Sequence, residues 1–463
     1  MNGMIAKDTI AAIATAPGEA GVGIIRISGS ESLVILQGIY QNAQGEKRDV
    51  FEPRFMYYGK IVNQDGNNID EALCVYMKGP RSYTGEDVVE IQCHGGSMAA
   101  QEILWRVLGK GARLAEAGEF TKRAFLNGRI DLAQAEAVMD IISAKTGRSL
   151  NVAVGQLSGR ISKSVKDVMD ILVELVAFIE AAIDFPEHDI EELTEEKISN
   201  GLRDALGRIE SMRTGFYEGR LIRDGVKTAI VGRPNVGKSS LLNALINESK
   251  AIVTDIPGTT RDVIEEVLSI DGILVRLLDT AGLRKTADVV ESIGVERTRA
   301  VIENSDLVLF VLDISEAPTE QDREISEELK HKEVIIVLNK SDKPEDPMMI
   351  AFVEKIKKIG VVQVSSKEEI GLEVLEAEIK KIVESGRATS SGNMPITNNR
   401  HRELIDRAYR NVLSAIEALE LGTPLDLVSL DIRDCWENLG RITGESVMKD
   451  VAAEIFSRFC IGK

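Results

Sequence analysis

Gly232-Arg-Pro-Asn-Val-Gly-Lys-Ser-Ser240 is the stretch that decides the fold. It fits G-x-x-x-x-G-K-[ST], follows the apolar run Val226–Val231 and precedes the helical Leu241-Leu-Asn-Ala-Leu-Ile246. Its glycines let backbone N–H groups wrap phosphates, Lys238 neutralises β/γ charge, and the Ser239 hydroxyl can ligate Mg²⁺. Working outward, Asp279-Thr-Ala-Gly282 closes a second apolar run, Leu274–Leu278. A carboxylate there can hold the Mg²⁺ shell through water, and Gly282 can approach the γ-phosphate. Asn339-Lys-Ser-Asp342 follows Val334–Leu338, and Asp342 can accept both guanine N1–H and the exocyclic amine, a donor pair adenine lacks. Ser365-Ser-Lys367 follows Val361–Val364 and fits a loop backing the base. With Leu307–Leu312 added, residues 226–385 alternate strand and helix, which predicts a parallel sheet wrapped by helices. The order and spacing are those of a GTPase with GTP as substrate.

The hydrolytic apparatus is less conventional. Leu283 stands where Ras-like enzymes carry the water-orienting Gln, so hydrolysis must be slow or must use another group. Asn235 and the segment Thr254-Asp-Ile-Pro-Gly-Thr-Thr-Arg-Asp262 offer an amide and several carbonyls. Together they could cradle a monovalent cation beside the phosphates, supplying the charge of an arginine finger. Local turn hydrogen bonds account for Asn235 and Thr254 equally well. Thr260 is the natural second hydroxyl ligand for Mg²⁺. The candidate GTP contacts are Asn235, Val236, Gly237, Lys238, Ser239 and Ser240 in the first loop. Thr254, Asp255, Ile256, Pro257, Gly258, Thr259 and Thr260 follow, then Asp279, Thr280, Ala281 and Gly282. Asn339, Lys340, Asp342, Ser365, Ser366 and Lys367 complete the set.

The rest of the chain sets limits. At roughly 150 residues per domain, 463 residues predict about three domains. The 56 Lys+Arg against 74 Asp+Glu leave a charge of −18, which excludes a dedicated basic coat for duplex nucleic acid but not a local basic surface. Half of that charge, −9, falls in residues 226–385; a local basic excess of +3 falls over residues 386–410. The start lacks a basic segment leading into a long apolar one, so no signal peptide is expected. The most apolar helical stretch, Val168 to Ile183, is broken by Asp170, Glu174 and Glu180, so no membrane span is expected either. Cys74, Cys93, Cys435 and Cys460 show no C-x-x-C spacing, which fits a reduced cytoplasm. Cys460-Ile-Gly-Lys463 has the form of a prenylation box, but a terminal Lys is atypical of one. The acidic run Asp184 to Glu196 reads as a solvated loop and helix start.

Residues 1–120 mix β-rich runs (Gly23–Ser28, Ala72–Met77, Val88–Gln92) with turn signals at Asp65-Gly66 and Gly95-Gly96, an α+β pattern. From Thr121 the pattern is helical: Val165, Val168, Met169, Leu172, Leu175, Val176 and Ile179 share a face. A Gly/Ser-rich linker spans Glu384 to Asn393, after which Ile405, Ala408, Val412, Ile416 and Leu419 repeat the helical period. The economical division is 1–120, a helical domain from 121–222 and 386–463, and an inserted α/β domain at 223–385. Two separate helical domains fit the pattern as well.

Beyond the nucleotide motifs, the whole chain resembles the MnmE (TrmE) tRNA-modification GTPases. The resemblance is carried by Pro17-Gly-Glu-Ala-Gly-Val-Gly-Ile-Ile-Arg-Ile-Ser-Gly29 and by Tyr83-Thr-Gly-Glu-Asp-Val-Val-Glu-Ile-Gln-Cys-His-Gly-Gly96. It continues in Gly118-Glu-Phe-Thr-Lys-Arg-Ala-Phe-Leu-Asn-Gly-Arg129, in Asp131-Leu-Ala-Gln-Ala-Glu136 and in the ending Phe456-Ser-Arg-Phe-Cys-Ile-Gly-Lys463. It implies a folate-binding, dimerising N-terminal domain, a helical-bundle domain, and a Ras-like P-loop GTPase domain inserted into the bundle. It further implies a homodimer that joins the flavoprotein MnmG in a heterotetrameric or larger complex acting on tRNA. The implied product is a (carboxymethyl)aminomethyl group at C5 of the wobble uridine. The one-carbon unit would come from 5,10-methylene-tetrahydrofolate, with 5-formyl-tetrahydrofolate as an analogue.

Residue by residue, the resemblance implies K⁺ on Asn235, Thr254, Ile256 and Thr259, and Mg²⁺ on Ser239 and Thr260. It implies Glu291 as the acid that positions water, although by sequence alone Glu291 reads as any exposed helix residue. Folate contacts would fall on Arg26, Glu90, Arg129 and Lys463; Arg and Lys pair with carboxylates, and a Glu accepts from a pterin N–H edge. Position 129 departs from members carrying Lys: the charge is kept and the geometry changes. Cys460 is a candidate catalytic thiol, and a buried structural cysteine fits equally. Two other readings compete. One is a GTP-switched RNA-binding or ribosome-assembly factor, which usually appends a basic module. The other is a folate-binding scaffold with a vestigial GTPase domain.

Overall fold

The computed structural model describes residues 8–184, 191–248, 266–270, 272–278, 299–385, 396–446, 455–457, 459 and 462. They fall into two compact units. One draws on Met1–Met139, Gln156–Asp170 and Trp436–Lys463, the other on Asp140–Gly155 and Ile171–Cys435.

The first unit is built on a seven-stranded sheet: β1 (Ile10–Ile13), β2 (Ala20–Ser28), β3 (Tyr40–Asn42), β4 (Met56–Val62), β5 (Asn68–Met77), β6 (Val88–Gly95) and β7 (Arg113–Leu114). The order is β3-β4-β5-β6-β2-β1-β7, with only the β1–β7 pair parallel. Strands β2, β5 and β6 contain the three predicted runs. Strand β4 went unpredicted; β3 and β7 escape the pattern because they are only 3 and 2 residues long, and β1, Ile-Ala-Ala-Ile, because it is short and apolar throughout. Helices Ser32–Gln37 and Ser97–Leu108 bury Ile35, Leu36, Ile103 and Val107 against Ile25, Ile27, Val89 and Ile91. Side chains alternate across a strand, so the residues between these, Arg26 and Glu90, stand on the opposite face. A separate cluster joins Leu132 and Ala135 to Phe456 and Phe459 near the far end of the chain.

The second unit holds the predicted α/β sheet: β8 (Val226–Val231), β9 (Glu266–Ile270), β10 (Ile273–Leu278), β11 (Leu307–Asp313), β12 (Val334–Asn339) and β13 (Gly360–Gln363). The order is β13-β12-β11-β8-β10-β9, parallel except for the β9–β10 hairpin. Every residue of β11 is buried. Leu307, Leu309 and Val311 pack with helices Lys238–Glu248 and Leu372–Ser385, and Val308, Phe310 and Leu312 with helix Pro347–Lys355. Coverage on both faces is what makes such strands read as unbroken apolar runs. Edge strand β9, Glu-Val-Leu-Ser-Ile, has no such run and went unpredicted. Helix Glu191–Asp224 lies along Asn399–Glu420, and the predicted stripe of helix Arg160–Asp184 is buried from Val165 to Ile179, with Val176 half-buried. Among the described residues no helix is long and apolar enough to cross a membrane.

Candidate nucleotide-binding site

Strand β8 lies between β10 and β11, where the connections leave in opposite directions, and in such sheets ligands sit beyond the carboxyl ends of the strands there. The loop Gly232–Ser240 leaves that end and feeds directly into helix Lys238–Glu248, whose first-turn N–H groups suit an anion. Gly237 has φ +99°, and a Cβ there would stand 2.1 Å from Asn339 Nδ2, so only glycine fits. Asn235 adopts the left-handed region at φ +64° without being glycine. The Lys238 ammonium donates to Gly232 O at 2.6 Å and Arg233 O at 2.8 Å; burial, and then Arg233, hold it below the ordinary lysine value.

Two further loops at the same end, those after β12 and β13, close a cavity of about 530 Å³, lined by Gly237, Ser240, Asn339, Lys340, Asp342, Ser365, Ser366 and Lys367 among others. Asn339 ends β12 and is buried; its Nδ2 donates to Val236 O at 2.8 Å, and its Oδ1 accepts from Ser366 N at 3.1 Å and Oγ at 2.9 Å. It thereby ties the phosphate-type loop to the base-type loop. Asp342 is exposed and accepts from Ser365 Oγ at 2.7 Å, a hydrogen bond that holds its carboxyl below the ordinary 3.8. It is ionised at neutral pH and open to a pair of donors.

The sequence reading passed over the loop after β11. Arg233 pairs with Glu316 and stands 3.3 Å from the fully buried Asp322, which closes a capping box with Thr319. The signal was present: Thr319 and Asp322 have the spacing of a helix start. Asp313 ends β11, 2.5 Å from Lys340 Nζ.

The structure brings together Asn235, Val236, Gly237, Lys238, Ser239, Ser240, Asn339, Lys340, Asp342, Ser365, Ser366 and Lys367 at one end of the sheet. Thr254, Asp255, Ile256, Pro257, Gly258, Thr259, Thr260, Asp279, Thr280, Ala281, Gly282 and Glu291 lie outside the described residues, as do Cys460 and Lys463.

In the first unit Arg26 and Glu90 are register partners on β2 and β6, with Nε to Oε1 at 2.9 Å and side chains 16% and 18% exposed. The Arg26 guanidinium lies 5.2 Å from the Tyr83 ring centre and 5.7 Å from that of Phe120, and its Nη1 donates to Gly462 O at 3.3 Å. Gly462, at φ +94°, lies against β1: a Cβ there would sit 2.4 Å from Ile13 O. Arg129 is exposed, and no hydrogen bond or ion pair joins it to Arg26 or Glu90. Behind the pair, the buried Arg123 binds Asp8 at 2.8 Å, Glu119 at 3.1 Å and Glu86 at 3.2 Å.

Comparison with known proteins adds the following. The family described as GTP-binding protein TrmE N-terminus matches residues 9–129, and the MnmE helical domain family matches residues 132–460. A protein of Clostridioides difficile (strain 630) named tRNA modification GTPase MnmE is 46% identical over 460 residues, spanning 99% of this chain and 100% of its own length. One of the same name from Alkaliphilus metalliredigens (strain QYMF) is 47% identical over 461 residues, with the same coverage. Among solved structures, the G domain of the T. maritima FeoB iron transporter is 30% identical, covers 34% of this chain and 97% of its own, and has a TM-score of 0.26.

Proposed function

This chain belongs to the MnmE family of tRNA modification GTPases, and from that premise we propose that it is a potassium-dependent GTPase. Working with the flavoprotein MnmG, it installs a (carboxymethyl)aminomethyl group at C5 of the tRNA wobble uridine. The observation that carries the nucleotide part is the cavity at the ends of β8, β12 and β13, with an ionised Asp342 in its lining and Lys238 in the loop that adjoins it. Guanine is read by Asp342, held by Ser365, and the base is backed by Ser366 and Lys367. Mg²⁺ sits on Ser239 and Thr260. Asn235, Thr254, Ile256 and Thr259 hold K⁺, which supplies positive charge beside the phosphates. An amide oxygen suits such a hard cation, and among the described residues no partner engages the exposed Asn235 side chain. Glu291 orients the attacking water.

In the first unit, Arg26, Glu90, Arg129 and Lys463 bind 5,10-methylene-tetrahydrofolate, which supplies the one-carbon unit. The half-buried Arg26–Glu90 pair, with the Tyr83 and Phe120 rings near the guanidinium, suits a flat, polar-edged ring, and Gly462 O on Arg26 keeps the residue before Lys463 close by. Cys460 is the thiol assigned to that site. The division into 1–120, 121–222 with 386–463, and 223–385, the homodimer, the larger complex with MnmG and tRNA, and a cytoplasmic location belong to the same reading. The deciding experiment is nucleoside analysis of tRNA from cells lacking the protein; an unchanged wobble uridine rejects the modification role. GTP turnover should be far faster in potassium than in sodium, and equal rates reject the cation-assisted mechanism. Glu291→Ala should stop hydrolysis and spare nucleotide binding.

A further inference from the structure

We propose that Asp313 is a positioning residue for the nucleotide, acting through Lys340 to fix the backbone of the phosphate loop at Asn235. The proposal rests on the GTPase reading of this site and adds a residue that does not line the cavity.

Asp313 is the last residue of β11 and is 1% exposed. Its Oδ1 accepts from Ser315 N at 3.0 Å and Ser315 Oγ at 2.7 Å, and its Oδ2 lies 2.5 Å from Lys340 Nζ. Burial alone would raise the carboxyl, but Lys340 and Ser315 outweigh it and hold the group below its ordinary value. The same ammonium donates to Asn235 O at 3.0 Å. One buried carboxylate therefore anchors a cation that crosses from the end of β12 to the loop after β8. Strand register supports the bridge, since Asp313 pairs with Asn339, the residue before Lys340.

Both ends of this bridge are left-handed non-glycines, Lys340 at φ +63° and Asn235 at φ +64°. Such conformations persist where surrounding contacts over-determine them, and they cluster at ligand sites. A lysine has three donors and a flexible stem, so its aim is set by its acceptors. Here those partners are the Asp313 carboxylate, at ion-pair distance, and Asn235 O, at hydrogen-bond distance. Remove the charge at 313, and Lys340 loses the partner that holds its stem along the cavity wall. Asn235 then loses a fixed carbonyl clamp. The ligand feels Asp313 at second hand, in retention of the base and in the aim of the Asn235 amide.

Asp313→Asn keeps the shape and the Ser315 hydrogen bonds while removing the charge. It is expected to speed release of a fluorescent GDP analogue about tenfold, the usual scale for losing a charged partner at a buried site. It should also raise the potassium concentration giving half-maximal GTP turnover severalfold, with turnover at saturating potassium within about twofold of the parent. A merely structural role would lower Tm and the maximal rate without moving the potassium midpoint. Unchanged GDP release in a folded Asp313→Asn protein overturns the proposal. The double variant with Lys340→Met is the sharper arm. If Asp313 acts through Lys340, adding Asp313→Asn to Lys340→Met changes release no further, whereas additive effects overturn it. Ser315→Ala, which loosens the carboxylate and leaves the ion pair, should speed release about twofold and serves if Asp313→Asn does not fold; no change there counts against the proposal. GDP release is measured in sodium. If the parent hydrolyses GTP equally in both salts, the potassium reading fails and the release data still judge Asp313.

Discussion

In the six-stranded sheet the working polar groups stand just past the last apolar residue of a strand, Asp313 after Leu312 and Asn339 after Leu338. In the seven-stranded sheet they stand inside strands, Arg26 in β2 across from Glu90 in β6. The first arrangement follows from burial on both faces: a parallel strand covered by helices has room for a charge only at its tip. The second suits a sheet whose other face is covered only in part, by Phe120 of helix Glu119–Leu126 on Ile10 and Ala12, so that alternate residues can be polar without leaving the ladder. The two also differ in how charge is compensated. Around the nucleotide cavity most polar side chains bond to backbone or to near neighbours, as Asn339 does with Val236 and Ser366. Behind Arg26, four charged side chains from distant parts of the chain meet: Asp8, Glu86, Glu119 and the buried Arg123. The polar groups at one sheet's end sit in loops, and those beside the other include a buried ion-pair network.

Variants can break this contrast. The largest effect should come from Asp342→Asn, which turns an acceptor pair into a donor and should cost about a hundredfold or more in GDP affinity. It should gain xanthosine diphosphate, whose carbonyl replaces the amine, and isothermal titration with both nucleotides reads the swap. Stability should hardly move, because the side chain is exposed. Arg123→Met should do the reverse. It leaves Glu119 and its neighbours without their buried cation, at a cost of about 3 kcal/mol in denaturant unfolding, with GTP turnover per folded molecule unchanged. A milder effect is expected from Arg26→Lys, which keeps the charge but loses the planar fork, and should weaken 5-formyl-tetrahydrofolate about tenfold.

Acid should have the smallest effect. Glu119 and Asp8 are buried to an extent that by itself raises them, yet Arg113 and Arg123 hold both below their ordinary values of 4.5 and 3.8. A depressed carboxyl contributes stability above its unfolded value and loses it as pH falls through the folded one. Tm should therefore drop by a few degrees as pH falls below about 4.5, with the 38%-exposed Asp8 contributing least. Arg123→Met should flatten that dependence. A variant as acid-sensitive as the parent would show that the network is not the source.

The same contrast explains what the sequence made legible. Strands β8, β10, β12 and β13 were readable because each is an apolar run followed by a motif whose chemistry is local, a glycine that must approach a side chain or an Asp that must meet a base, and β11 from its apolar run alone. Arg26 and Glu90 came from resemblance, not from pattern, because nothing in either strand announces that the other will lie beside it. Arg123 and Asp8 were not found, being 115 residues apart. Asp313 was passed over for a different reason: its role depends on Lys340, whose own motif appeared complete without it. Local chemistry is written in spacing; pairing between distant segments is written only in the fold.

The contact between Gly462 and Arg26 spans 436 residues. During synthesis the seven-stranded sheet can form long before that glycine leaves the ribosome, so Arg26 must spend the interval with its last partner missing. The nucleotide sheet and the helices packed on it, by contrast, lie within residues 226–385. A chain cut short after residue 446 would keep every strand of both sheets and lose the carbonyl that Gly462 brings to Arg26.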